Sequence, residues 1–246
     1  MKSLTKPNIL SCLCALGGVL AFCLRLWFLK TGMDSRGLLV TGHIGNTLSF
    51  VVTALTLLPA ALLTLKGPDT KQSRSRASRL AALGAALGCV GLIAAAGHLL
   101  DDASALLTTV TGILGIVSAL CAAYTAVCRL KGLRTSPWVS CVIIVFLMLL
   151  PLQLYRQWSA QTQLPRYFFQ LLGCVCLLLW AFQRAVLETG SGSWRAYLLL
   201  RHCGIFFCVA AAAGSAQPLF YLTVAAWMLL DGLSVLPETS ERHEAA

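Results

Sequence analysis

Charge is what this sequence has least of. Only 11% of its 246 residues are Asp, Glu, Lys or Arg, against about a quarter in an ordinary soluble domain. A soluble chain of this length with 58% apolar residues would lack the polar surface to stay in solution. Acidic residues are the scarcer sign, nine against nineteen Lys and Arg. The resulting charge of +10 would point to nucleic acid in a soluble protein. Here the basic residues stand in short loops between apolar runs, and no basic patch carries interleaved aromatics, so nucleic acid is excluded as a partner. Every polar stretch is shorter than about fifteen residues, which leaves no soluble domain. Any chemistry has to happen within a membrane bundle or at its surface.

Catalytic and metal motifs are missing as well. The chain has no G-x-S-x-G elbow, no P-loop, no glycine fingerprint after a strand and no HExxH pair. None of the eleven cysteines forms CxxC or a zinc-type spacing with histidine. All lie within or beside apolar runs, where a free thiol packs as a small hydrophobe. The pairs Cys12/Cys14 and Cys174/Cys176 would point to different faces of a helix and chelate poorly. No catalytic residue and no cofactor follows from the sequence.

What is present is a series of eight apolar runs of membrane-crossing length. They cover about 9–29, 40–65, 80–100, 105–128, 138–155, 167–187, 196–214 and 219–236, and predict one all-α transmembrane domain with a short polar tail at 237–246. The first run contains Arg25 and has no small-x-small cleavage site, so it reads as a retained helix rather than a signal peptide. Pro59 and Pro151 fall inside the second and fifth runs. Asp231 interrupts the eighth, which makes seven spans the rival count.

The loop Lys66–Arg79, KGPDTKQSRSRASR, orients the bundle. It carries five Lys or Arg against one Asp, and short loops of this sign face the cytoplasm. With that loop inside, thirteen basic residues fall on the cytoplasmic side, including those of Arg129–Arg134 and also Arg184 and Arg195. Four fall outside: Lys30, Arg36, Arg156 and Arg166. Both termini are then cytoplasmic, and the basic loops meet anionic lipid head groups. Tyr155, Trp158, Tyr167 and Phe168 gather at one outer boundary, where interfacial aromatics belong. The overall look is that of a multi-pass protein of a bacterial plasma membrane.

Polar residues inside the spans are the functional candidates. Gly84, Gly88, Gly91 and Ala95 of the third span advance by fours and threes toward His98 and Asp102, a stripe for close helix contact against the second or fourth span. The second span has Gly42, Asn46, Ser49, Thr53 and Thr56 on one face, and the fourth has Thr108, Thr111, Gly115, Ser118 and Ala122. These stripes suit interhelical packing with hydrogen bonds, or a polar pathway or partner interface formed by spans two to four, with the bulky fifth and sixth spans facing lipid. His43, Asn46, His98, Asp101 and Asp102 form a candidate outer-face site for a divalent metal or a proton relay; bis-histidine haem ligation is disfavoured. Arg25 lies near enough to the outer boundary to snorkel. Arg201 and Asp231 match in sign and depth across the last hairpin and suggest an intramembrane ion pair. The reading is a non-enzymatic transport-like protein or membrane-complex component, with a membrane-protein partner or a homo-oligomer as the company it keeps. The alternative is a membrane-embedded enzyme or metal-dependent sensor built on the outer His/Asp group.

Overall fold

A computed structural model of the chain describes residues 6–32, 44–66, 78–101, 106–158 and 164–234. Its regular elements are eight α-helices: α1 (Lys6–Thr31), α2 (Ile44–Lys66), α3 (Arg79–Asp101), α4 (Leu106–Lys131), α5 (Pro137–Trp158), α6 (Leu164–Glu188), α7 (Trp194–Ala211) and α8 (Pro218–Ser234). Helix is what such runs must form in lipid, because every backbone N–H and C=O then finds its partner within the segment. Six helices, α1 to α6, are long and apolar enough to cross a membrane. The last two are shorter, at 18 and 17 residues, about 26 Å at ~1.5 Å per residue against a hydrocarbon core of about 30 Å. Pro59 and Pro151 sit inside α2 and α5, and neither ends its helix. The protein is thus a polytopic helical bundle in contact with a lipid bilayer.

The helices close a ring. α3 packs on α4, α4 on α5, α5 on α6, α6 on α7, α7 on α8, and α8 returns to α3. Outside it, α1 lies against α7 and α8, and α2 against α1 and α7. The ring is filled with side chains. Phe146, Leu147 and Leu150 of α5, Leu177 and Trp180 of α6, and Phe220, Val224, Trp227 and Met228 of α8 belong to one buried core. α6 and α8 are not ring neighbours, yet their large side chains meet across the centre. Trp180 and Trp227 stand edge to face at 5.6 Å, and the Cys174 sulfur lies 3.4 Å from the Tyr221 hydroxyl.

The glycine stripe of α3 is buried against α8, in place of the α2 or α4 contact that the sequence suggests. A Cβ on Gly88 would fall 2.1 Å from the Trp227 ring, and one on Gly91 would fall 2.1 Å from the Thr223 hydroxyl. The opposite face of α3 takes α4 just as closely, with Gly112 against Leu100 and Gly115 against Ala96. Small residues on two faces let α3 sit between two helices, so 50% of its most apolar stretch is buried. The corresponding figure for α2 is 17%, which puts α2 at the periphery.

This arrangement removes the pathway expected through spans two to four, because α2 shares no packed interface with α3 or α4. Four hydroxyls of α2 bond within the helix. Ser49, Thr53, Thr56 and Thr64 each donate to the carbonyl four residues earlier, at 2.7–2.8 Å, a local outlet that needs no partner helix. Bulk does not mark the lipid face either. α5 and α6 turn Phe146 and Trp180 fully inward, whereas α2 exposes Leu55, Leu58, Leu62 and Leu63. Arg25 does not snorkel. It is 5% exposed, with its guanidinium 4.4 Å from the centre of the Phe169 ring.

Candidate functional site

Two left-handed glycines level the helix ends at which the site is built. Gly132 (φ 69°) follows α4, and Leu133 N–H bonds back to Cys128 O at 2.9 Å. Gly190 (φ 90°) follows α6, and Ser191 N–H bonds back to Val186 O at 3.3 Å. Both are Schellman closures, which only glycine enters without strain. They leave Arg129 in the last turn of α4 and Glu188 at the end of α6, and these two side chains form an ion pair. Ser193 caps α7, its hydroxyl accepting from Ala196 N–H, and so sets Tyr197 one turn into that helix.

From Glu188 the cluster runs inward. Arg184, four residues before it on α6, has Nε 3.7 Å from the same carboxylate. The Arg184 Nη2 lies 3.2 Å from Asp231 Oδ1 on α8. Tyr197 of α7 donates its hydroxyl to Asp231 Oδ2 at 2.8 Å. The Arg184 guanidinium also lies 5.4 Å and 5.3 Å from the rings of Trp180 and Trp227, within cation–π range. Arg129, Glu188, Arg184 and Asp231 balance in charge and tie α4, α6, α7 and α8 together at the end of the bundle that carries the basic loops. That end is called the basic end below.

The Arg201–Asp231 pair suggested by the sequence is replaced by this one. The two residues do lie at neighbouring levels, since the Arg201 guanidinium rests on the backbone of Gly232, where a Cβ would fall 1.8 Å from Nη1. They point to different partners. Asp231 faces Arg184 across the ring, while Arg201 turns outward to α1 and donates to Ser11 Oγ at 2.7 Å and Pro7 O at 3.3 Å. Residue counting sets depth but not rotation about the helix axis. Arg201 is 1% exposed, and neutral oxygens hold it. Beside it, His202 Nε2 is 3.3 Å from Pro7 O and Nδ1 is 3.3 Å from Thr64 Oγ1. The carbonyl can only accept, which assigns the ring proton to Nε2.

Next to the charged cluster a cleft of about 20 Å³ opens between α4, α5 and α6, lined among others by Thr135, Ser140, Trp180, Arg184, Glu188 and Trp227.

The outer-face group is not assembled among the described residues. His43 and Asp102 lie outside them. Asn46 belongs to α2, and His98 and Asp101 to α3, two helices with no packed interface. No three His, Cys, Asp or Glu among the described residues come together as metal ligands. All eleven cysteines are free thiols.

Arg184, Arg129, Glu188 and Tyr197 are the residues that sequence reasoning missed. Arg184 and Arg129 counted as cytoplasmic charge and so as solvated. The available signal was acid scarcity: with nine acids in the chain, a Glu at the end of an apolar run, four residues after an Arg, has a reason to be there. No protein-family model, curated protein or solved structure matches this chain.

Proposed function

We propose that the chain is a non-enzymatic, transport-like membrane protein that works through the α3–α8 ring, with the Arg129–Glu188–Arg184–Asp231 cluster closing its basic end. The observation that carries this reading is the ion pair thrown across the ring, from α6 to α8. Burying an ion pair carries a desolvation cost, and an apolar pair would hold two helices together without that cost. Ionic closures of this kind can be exchanged for water, which makes them suited to an element with two arrangements. Below the cluster, Trp180, Trp227 and Phe146 fill the ring centre and would have to repack for passage. The positive-inside rule turns this mouth to the cytoplasm. The enzyme or metal-sensor reading has less support, because Asn46 on α2 stands apart from His98 and Asp101 on α3, two helices without a packed interface.

Cys174 offers the test. It lies on α6, ten residues before Arg184 and about 15 Å deeper at ~1.5 Å per residue, and it is 1% exposed. In a background where Cys174 is the sole cysteine, a membrane-impermeant maleimide is applied from the cytoplasmic side. Asp231→Asn should open the mouth and speed labelling over wild type. Equal inertness in two folded proteins would discard the gate and the transport-like reading with it.

A further inference from the structure

We propose that Asp231 has two cationic partners, Arg184 in the closed ring and Arg201 once α6 parts from α8, so that the basic end opens by exchanging one ion pair for another. The inference rests on the reading of the α6–α8 pair as a gate, and it names how that gate moves without stranding a charge. Arg201 is 1% exposed, and no carboxylate among the described residues pairs with it. Its Nη2 donates to Ser11 Oγ and Pro7 O, and its Nε meets no acceptor there. A guanidinium buried on neutral oxygens is an uncompensated charge. It rests on the backbone of Gly232, and Asp231 is the next residue, with its Cα ~3.8 Å away. A change of rotamers at Arg201 and Asp231 covers that step. The swing gives up two bonds to neutral oxygens and gains one to a carboxylate, the stronger kind.

Tyr197 supplies the pivot. It lies four residues before Arg201 on α7 and therefore on the same helix face. Its hydroxyl holds Asp231 Oδ2, and its ring centre is 5.9 Å from the Arg201 guanidinium. That bond runs along the α7–α8 hairpin, so it survives when α6 leaves. Arg184 has a second partner too, since Glu188 on its own helix lies 3.7 Å from its Nε. Its contact with Asp231 is close but outside hydrogen-bond geometry. The charge count favours the exchange as well. Arg129, Arg184 and Arg201 share two carboxylates, and in the closed ring the surplus cation is the buried Arg201. After the exchange the surplus falls on the group at the helix ends, where the Arg129 and Glu188 side chains are 14% and 24% exposed. Water there lowers the cost of an unpaired charge, and two arrangements that both pair Asp231 are what a gate requires.

The experiment is a pair of double-mutant cycles on the full-length protein, read as unfolding constants by steric trapping. Asp231→Asn and Arg201→Gln are combined once with Arg184 present and once in Arg184→Gln. With Arg184 present, the two effects should multiply to within about threefold. In Arg184→Gln they should depart from the product by about tenfold or more, because Asp231 has gone to Arg201. Arg201→Lys, which keeps the cation, should bring that departure back under about threefold. Independence of the two residues in Arg184→Gln overturns the proposal. So does an equal departure in both backgrounds, which marks a fixed pair and no exchange. Should the Arg184→Gln proteins fail to fold, sole Cys174 decides with Arg184 in place: Arg201→Gln should slow its labelling about fivefold against wild type, and an unchanged or faster rate in folded protein overturns the exchange. Fast labelling of Asp231→Asn without the new coupling keeps the gate and discards the exchange. The new coupling with an inert Cys174 keeps the exchange and discards the gate.

Discussion

The two ends of this bundle are held by different chemistry. At the basic end, four ionised side chains and a tyrosine hydroxyl connect α4, α6, α7 and α8. At the opposite end, the described residues include hydrogen bonds between neutral groups. Gln153 donates to Thr108 across α5 and α4 at 3.4 Å, and Tyr221 donates to Gln170 O at 3.4 Å. Aromatic rings pack there as well: Phe169 lies 6.0 Å from Phe50 and 6.1 Å from Phe207, with Arg25 stacked on it. Lipid is as apolar as leucine, so helices in it are joined by close packing and polar contacts rather than by hydrophobic exclusion. Packed rings hold one arrangement. Ion pairs hold one until water or another ion replaces a partner.

The largest effect should come from breaking the charged end. Asp231→Ala leaves Arg184 buried beside an absent carboxylate and should cost about 3–5 kcal/mol, measured by steric trapping or SDS unfolding. The exchange Arg184→Asp/Asp231→Arg should recover part of this. In double-mutant cycles Asp231 should couple more strongly to Arg184 than to Arg201. The reverse order would mean that the pair runs along the hairpin and not across the ring.

Next in size is the seam shared by both ends. Gly88→Ala drives a methyl into the Trp227 ring and should cost about 1–3 kcal/mol. Trp227 also flanks Arg184, so this change should loosen the basic end as well. An unchanged unfolding free energy would place the α3–α8 contact elsewhere.

Smaller changes are expected at the neutral end. Gln153→Leu removes a hydrogen bond between uncharged groups and should cost about 0.5–1.5 kcal/mol. A loss as large as that of Asp231→Ala would erase the contrast between the ends. The smallest change belongs to the periphery. Thr53→Val on α2 deletes a hydroxyl that bonds only its own helix, and the cost should stay within about 0.5 kcal/mol. A larger loss, read in the same unfolding assay, would reveal a partner for that face.

The site was legible in parts. Asp231 and Arg201 stand out in a sequence because each is a charge inside an apolar run, and their common level follows from counting. Arg184 and Glu188 escaped because they sit within a turn of a helix end, where a charge can as easily face water. Whether it does depends on what the neighbouring helix offers, and that neighbour, α8, lies more than forty residues on. His43, Asn46 and His98 drew notice for their residue types, and type says nothing about which helices adjoin.

By itself the sequence determined that the described elements are apolar helices and which charges fall within their runs. These are local matters, since hydropathy, loop charge and the need to satisfy the backbone in lipid act along a single segment. Only the tertiary structure decided the order of helices around the ring, the choice of α8 as partner for the α3 glycines, and the pairing of Asp231 with Arg184. Those depend on rotation about each helix axis, which no segment determines alone. It is settled where a glycine on one helix admits a tryptophan from another, and a pattern of residues along one chain does not contain the face of its neighbour.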